Sequence, residues 1–330
     1  LLKSARMSHD GRAHSTFKIG PVTWRLASEN VNVQQLSSSV KQLFRAPNGW
    51  KFCRHDHQAL EVRGLADQSG DPVLIGRVRR GMDLHWVHAA GFLGWGYDDT
   101  LSTAKEGDNK KIRFAFKTLF FAGGYGGGVK TIAVVLRKEL HDAGVGTDIV
   151  LHILSERGFD PGEDPYVTLA TEWLKWLRKE YKVLRASFSR YGAPDDEGEN
   201  PDKYPVWRDR LVRSKFGFER RVPEIRDYDN EFVSEAHRQA YNFGCQNLSV
   251  LTFLSYRDLR QRREDMGLDT DARLCLQEHD STMWLVREDI ADFWETQVRD
   301  AMEDGGVFKE FGAEFAVPLK VEGAVSEIWE

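Results

Sequence analysis

No stretch of this 330-residue chain approaches the ~20 consecutive apolar residues that a membrane-spanning helix needs, and the first residues carry no secretory pattern. No membrane partner is therefore expected. Cysteine is scarce. The three present, Cys53, Cys245 and Cys275, are odd in number and scattered, without metal-ligand spacing, which argues against a disulfide framework and fits a reducing compartment. Internal repeats and low-complexity tracts are also lacking. So is any excess of positive charge: 46 Lys and Arg against 51 Asp and Glu leave a net charge of −5, unusual for a protein that grips nucleic acid. Global charge is a weak guide where cations cluster, as they do from Lys110 to Lys117 and from Arg208 to Arg226; the second cluster reads equally well as a solvated surface. Apolar material is ample. At 41% aliphatic and aromatic residues the chain can bury a full core, as one large domain or two intimate ones.

The most informative run lies between Arg113 and Tyr125. Arg113, Lys117, Phe121 and Tyr125 stand at strict four-residue steps, and Gly126 closes the run within a stretch holding Gly123, Gly124, Gly127 and Gly128. On an α-helix each step turns only about 40° beyond a full revolution, so the four share one slowly drifting face. Two cations one turn apart suit a triphosphate, and the ring beyond them suits an attached base. Charges seldom sit on a buried stripe, so Phe114, Phe116 and Phe120 are assigned to the core instead. Elsewhere, residues 49–57 read as a strand leading to Asp56, with a helix from about Gln58 to Gln68. Gly91–Lys111 reads as a polar, glycine-bearing connection, and Val129–Asp142 as an amphipathic helix. Thr168–Tyr181 reads as a helix whose Leu169, Trp173, Trp176 and Leu177 pack. Gly192–Pro205, rich in breakers and acids, reads as a surface loop; Gln239–Gln261 reads as helical, and Arg273–Val286 as two strands meeting near His279 and Asp280.

The run RFAFKTLFFAGGYG resembles the nucleotide-binding fingers helix of family A DNA polymerases, the bacterial DNA polymerase I and phage replicase group. Further blocks follow in that family's order. TWRLASENVNVQQL (Thr23–Leu36) is similar to TGRLSSxxPNLQN, with Trp24 for glycine and Val31 for proline. LFRAPNGWKFCRHDHQALEVRGLA (Leu43–Ala66) resembles the block around the first catalytic aspartate, and LQEHDS (Leu276–Ser281) the block around the second. MDLHW, FGFERRVP, EAHRQAYNFGCQN and the terminal VPLKVEGAVSEIW extend the likeness over roughly residues 10–330. The resemblance implies an α+β fold: an antiparallel palm sheet packed by helices, with an α-helical fingers subdomain inserted. Palm would occupy 1–75 and 236–330, and fingers 76–235 with a surface insertion near 192–205. Family members carry a thumb, and usually an exonuclease domain, ahead of the first block. Neither has room here, so a fragment, an excised domain or one part of a split polymerase is expected, with a separate chain or upstream region supplying both.

By resemblance the chain performs template-directed DNA synthesis on primer–template DNA with dNTPs, in the cytoplasm of a bacterial or phage-infected cell. Two Mg²⁺ ions, for which Mn²⁺ can substitute, would be held by Asp56, Asp280 and the main-chain carbonyl of His57; hard cations prefer such oxygens. Glu61 falls at the position that excludes a ribose 2′-hydroxyl. His85, Arg113 and Lys117 would hold the triphosphate, with Lys117 counted as catalytic; Phe121 would support the base and Tyr125 occupy the template slot. Arg25, Arg238 and Gln246 would read the minor groove at the primer terminus, where acceptors recur in every correct pair. Asn32, Gln34 and Asn242 are weaker contacts to template and primer, and His279 would steady the primer end. Three departures stand out: Ala59 for the family's Gln, Ser281 for the Glu after the second aspartate, and Asn247 for a glycine. Gln58 is a partial substitute for the missing amide, and Glu278 is expected to pair with a neighbouring Arg. The alternatives are a single-subunit phage-type RNA polymerase, against which Glu61 argues, and a palm that binds without turnover.

Overall fold

The segment Trp50–His57 alternates: Cys53, His55 and His57 are buried, whereas Arg54 and Asp56 between them stay partly open, as in a strand with one face on a core. The computed structural model describes residues 10–19, 25–192, 201–304 and 306–329. Numbered in chain order, β1 (Thr16–Ile19) and β2 (Leu26–Glu29) form an antiparallel ribbon. Strand β3 (Trp50–His57) belongs to the main sheet, and β4 (Leu211–Arg213) and β5 (Glu219–Arg221) form a second ribbon. With β6 (Ala272–Glu278), β7 (Ser281–Arg287) and β8 (Val321–Ser326), β3 makes a four-stranded antiparallel sheet in the order β6-β7-β3-β8. This is the α+β architecture expected of the sequence.

The chain folds as two compact units. The first comprises Leu1–Gly64, Val212–Arg221 and Phe243–Glu330 and holds the sheet. Cys53 packs with Trp284 and Val286 of β7 and with Trp294, Val298 and Met302 of the helix Ala291–Asp304. The opposite sheet face sets Phe52, Met283 and Leu285 against Val31, Val33 and Trp329. At its open end that face carries Arg54 and Asp56.

The second unit, Leu65–Leu211 with Val222–Asn242, is predominantly helical. Its core is aromatic. Trp86, Phe92, Phe116, Phe120 and Trp173 are buried, and the Trp173 indole N–H donates to the Leu119 carbonyl at 2.9 Å. His88, wholly buried, stacks on Phe120 at 4.3 Å and shares a 2.8 Å hydrogen bond with the Tyr181 hydroxyl. The helix Gly107–Gly124 presents this core with Phe116 and Phe120 and leaves Arg113, Lys117, Phe121 and Tyr125 on its open side. It ends where Gly126 turns left-handed (φ +84°); a Cβ there would lie 2.1 Å from the Phe188 ring.

Three expectations need correction. Gly91–Lys111 is not one connection: the helix Leu84–Leu93 ends at a left-handed Gly94 (φ 79°), a short helix Tyr97–Thr100 follows, and Gly107 already opens the long helix. Gln239–Gln261 is interrupted, with helices Asn230–Asn247 and Val250–Asp265 meeting at Leu248–Ser249. There the Ser249 hydroxyl donates back to the Gln246 carbonyl, a local bond that competes with helix continuation. Phe114 is only half-buried and lines a cavity. The expected Gly192–Pro205 loop lies largely outside the described residues.

One buried carboxylate organises the helical unit. Asp71, 1% exposed, accepts from the N–H groups of Val73 and Leu74 (3.0 and 3.1 Å) through one oxygen, capping the helix Pro72–Arg79. Its other oxygen accepts from Val183 and Leu184 (3.0 and 3.1 Å) at the start of Lys182–Ser189. Each cap contributes about 1 kcal/mol. Asp71→Ala should therefore cost about 2 kcal/mol in urea unfolding. Asp71→Asn, which keeps only one acceptor oxygen, should fall between Ala and the parent. Equal stability of Asn variant and parent would refute the double cap.

Candidate active site

Within the first unit, strand register gathers the acidic residues. Asp56 pairs across β3–β7 with Ser281 and across β3–β8 with Glu322, so the three form a row on one sheet face. The β6–β7 hairpin turns through only His279 and Asp280, and the Asp280 carbonyl accepts the His57 N–H at 3.2 Å. His279 at φ 54° meets the positive φ that such a two-residue turn demands. Ala59, between Asp56 and the helix Leu60–Ser69, also has positive φ (48°). Asp280 thus directly follows a left-handed residue, and Asp56 precedes one by three positions, the kind of outlier that concentrates at functional sites.

The electrostatics of the row follow. Burial first, and then the Asp280 charge, push Asp56 up to about 6, against the pull of Arg54 on the same face. Burial also raises Asp280, opposed by its own backbone N–H and by Arg25. Glu322, which pushes Asp56 further up, escaped the sequence reading, although alternation along Val321–Ser326 could have marked it. The Gln58 amide donates to Glu322 at 2.6 Å, so it is engaged there. Such a pair is left with charge to neutralise. Among the described residues no group of three or more His, Cys, Asp or Glu could hold a metal ion. A cation here would complete its shell with substrate and water oxygens, as Mg²⁺ commonly does, so the two aspartates fit it. The His57 imidazole is buried, with its pKa pushed down to about 3 by burial, which leaves only its main chain for a ligand role.

The structure distributes the other candidates unevenly. Glu61 pairs with Arg25 at 3.4 Å, and Arg63 donates to the carbonyls of Gln58 and Pro318. Glu278 pairs with Lys41 at 2.7 Å, where the sequence suggested an arginine. The Ser281 hydroxyl donates to the Glu278 carbonyl within its own turn. Gln34 is a correction: it is buried, and its amide bonds the Gln277 and Leu26 carbonyls and the Ser28 N–H, leaving no open donor for DNA. Asn32 is half-buried and accepts from the Ser28 hydroxyl. His279 is exposed at the hairpin tip. Gln246 belongs to this unit, whereas Arg238 and Asn242 belong to the helical one.

In the helical unit, Lys117, Phe121, Tyr125, Arg238 and Asn242 line one cavity of about 390 Å³. Phe121 stacks on Tyr125 at 6.0 Å, and the His85 ring lies 5.8 Å from Phe121. Burial, with Arg113 next, lowers His85 to about 4, so it is neutral at pH 7 and keeps one N–H to donate. Arg113 donates to Asp83 at 2.8 Å, a partner the sequence did not reveal, and Asp83 also caps the helix bearing His85. Lys117 is exposed, without an ion-pair partner among the described residues. Arg238 is held by Glu235 at 2.7 Å.

The helical unit thus carries two cations on one open helix face, and the sheet unit carries a desolvated aspartate pair. Comparison with known proteins identifies what the chain resembles. A profile described as "DNA polymerase family A" matches residues 1–145. The chain is 26% identical over 327 residues to the thermostable DNA polymerase I of Thermus aquaticus, covering 97% of this chain and 32% of that protein. It is likewise 26% identical to the DNA polymerase of Bacillus phage SP01 (93% and 30%) and 24% identical to DNA polymerase I of Aquifex aeolicus (97% and 46%). In structure it matches the POL domain of Pol1 from M. smegmatis, solved with DNA primer–template and dNTP, with a TM-score of 0.75. That match has 20% identity and covers 99% of this chain and 49% of that one. The chain therefore shares the fold of that polymerase domain and is similar at low identity to DNA polymerase I, of which it spans about a third in the Thermus aquaticus protein.

The raised Asp56 carries a pH signature. Its folded-state value of about 6 exceeds the ordinary 3.8, so it adds no penalty at low pH, where both states are protonated. The penalty grows as pH rises between these values and is complete above about 6. Without divalent cations, Asp56→Asn should therefore melt higher than the parent at pH 8, the gap closing near pH 4. Added Mg²⁺ should raise the parent's melting temperature more than the variant's. A variant that melts lower than the parent at pH 8 would contradict this.

Proposed function

We propose that this chain is the palm and fingers of a template-directed DNA polymerase, which joins a primer 3′-oxygen to the α-phosphorus of a dNTP and releases pyrophosphate. The observation that carries the reading is the pairing of β3 with β7, which sets Asp56 beside the Asp280 turn as a desolvated, mutually repelling pair. Asp56, Asp280 and the His57 carbonyl would hold two Mg²⁺ or Mn²⁺ ions, which when bound would make the primer hydroxyl more acidic and offset charge on the leaving pyrophosphate. The sheet unit is assigned to the palm and the helical unit to the fingers.

Each other side chain has a task that suits its chemistry. Lys117 is an open point charge for triphosphate oxygens. Arg113 is a fork held ready by Asp83, and neutral His85 donates one N–H to the same group. Phe121 supports the incoming base, and Tyr125, stacked on it, fills the template slot. Glu61 crowds C2′ and favours deoxyribose. Arg25, Gln246 and Arg238 read the minor groove of the terminal pair; Asn32 and Asn242 touch template or primer backbone, and His279 steadies the primer end. The rival RNA polymerase reading has no use for a carboxylate at Glu61, so primer extension with deoxy- and ribonucleotides separates the two.

Asp56→Asn and Asp280→Asn should each abolish Mg²⁺-dependent primer extension while circular dichroism stays unchanged. Full extension by either variant would remove the aspartates from the mechanism. Lys117→Ala should lose about 3–4 kcal/mol of transition-state stabilisation, roughly 10²–10³-fold in kcat, with Lys117→Arg losing less. Single-turnover incorporation measures this, and an Ala variant within about twofold of the parent would refute the role.

A further inference from the structure

Glu61 lies in the first turn of the helix Leu60–Ser69, its side chain more than a third exposed. Its one ion-pair partner among the described residues is Arg25, from the segment that leads into β2. The Arg25 guanidinium reaches Glu61 with Nη2 at 3.4 Å and donates from Nε to the Ser249 hydroxyl at 3.2 Å. Ser249 is 3% exposed, at the break between two helices, and donates in turn to the Gln246 carbonyl at 3.1 Å. A hydroxyl can accept from an arginine while donating to a carbonyl, so both bonds coexist. A relay thus runs from the buried helix break through Arg25 to the carboxylate at the sugar position. Arg25 also faces Asp280 and lowers its pKa.

A half-exposed ion pair contributes little to stability, so its consequence here is geometric. Two anchors, Ser249 on Nε and Glu61 on Nη2, set the plane of the guanidinium, and that plane in turn sets where the Glu61 carboxylate rests. We propose that Arg25 is a positioning residue for sugar choice: held by Ser249, it keeps the Glu61 carboxylate where a ribose 2′-hydroxyl would collide with it. This rests on the polymerase reading and deepens it. Excluding one hydroxyl needs a carboxylate placed to within a fraction of its own size; a loose one moves aside.

The test is single-nucleotide incorporation of dCTP and CTP opposite G, read as the ratio of their kcat/KM values. Arg25→Met should lower the deoxy-to-ribo ratio about tenfold, through a lower KM for CTP. Arg25→Lys, which keeps the charge but not the fork, should recover part of it. Ser249→Ala, which touches no substrate, should lower the ratio about threefold through Arg25 alone. In a Glu61→Ala background, Arg25→Met should change the ratio no further, because nothing remains to position. An unchanged ratio in Arg25→Met, or an equal fall in both backgrounds, would overturn the inference while leaving the polymerase reading standing. A folded parent that incorporates no nucleotide with Mg²⁺ would overturn both.

Discussion

Strand β3 is paired on both edges, and the rest of the sheet unit depends on that pairing. Antiparallel strands fix which residues lie opposite one another, and a slip of one residue would turn every side chain to the other face. The register here is locked from below. Cys53, Trp284 and Trp294 fill one buried cluster that a slipped β3 could not enter. Locking it places Asp56 at the open end of the strand, with Ser281 on one side and Glu322 on the other. The two-residue turn at His279–Asp280 then brings the second aspartate to the same end.

That placement has an electrostatic cost which the molecule moderates without removing. Arg54 lies two residues before Asp56 on the same face, and Arg25 lies near Asp280, yet both aspartates remain raised because burial outweighs the cations. A fully neutralised pair would have little left to offer a divalent cation. Ser281 carries no carboxylate, while Glu322 adds charge from the other neighbouring strand.

The helical unit meets a different constraint. Arg113, Lys117, Phe121 and Tyr125 share the open face of the helix Gly107–Gly124. Phe116 and Phe120 seat it among Phe92, Trp173 and His88, and the caps at Asp71 and Asp83 fix neighbouring helix starts. Each cap satisfies backbone donors that burial would otherwise leave without partners. Asp83 does this for the helix bearing His85 while pairing with Arg113, joining two candidate triphosphate ligands through one carboxylate.

The α+β class followed from the ordered family blocks, whereas the residue patterns by themselves determined the strand ending at Asp56, the hairpin at His279–Asp280 and the helix bearing Arg113 to Tyr125. These are local: period-2 and period-3.6 patterns and turn chemistry act over a few residues and are legible in order. Only the tertiary structure decided that Glu61 faces Arg25, that Arg113 faces Asp83, that Glu278 faces Lys41 and that Glu322 lies beside Asp56. It also decided that Gln34 is a buried structural amide and that the helix breaks at Ser249. Such partners lie dozens to hundreds of positions apart. Which of several available charges meets a given carboxylate depends on strand register and helix packing, and no single segment encodes either.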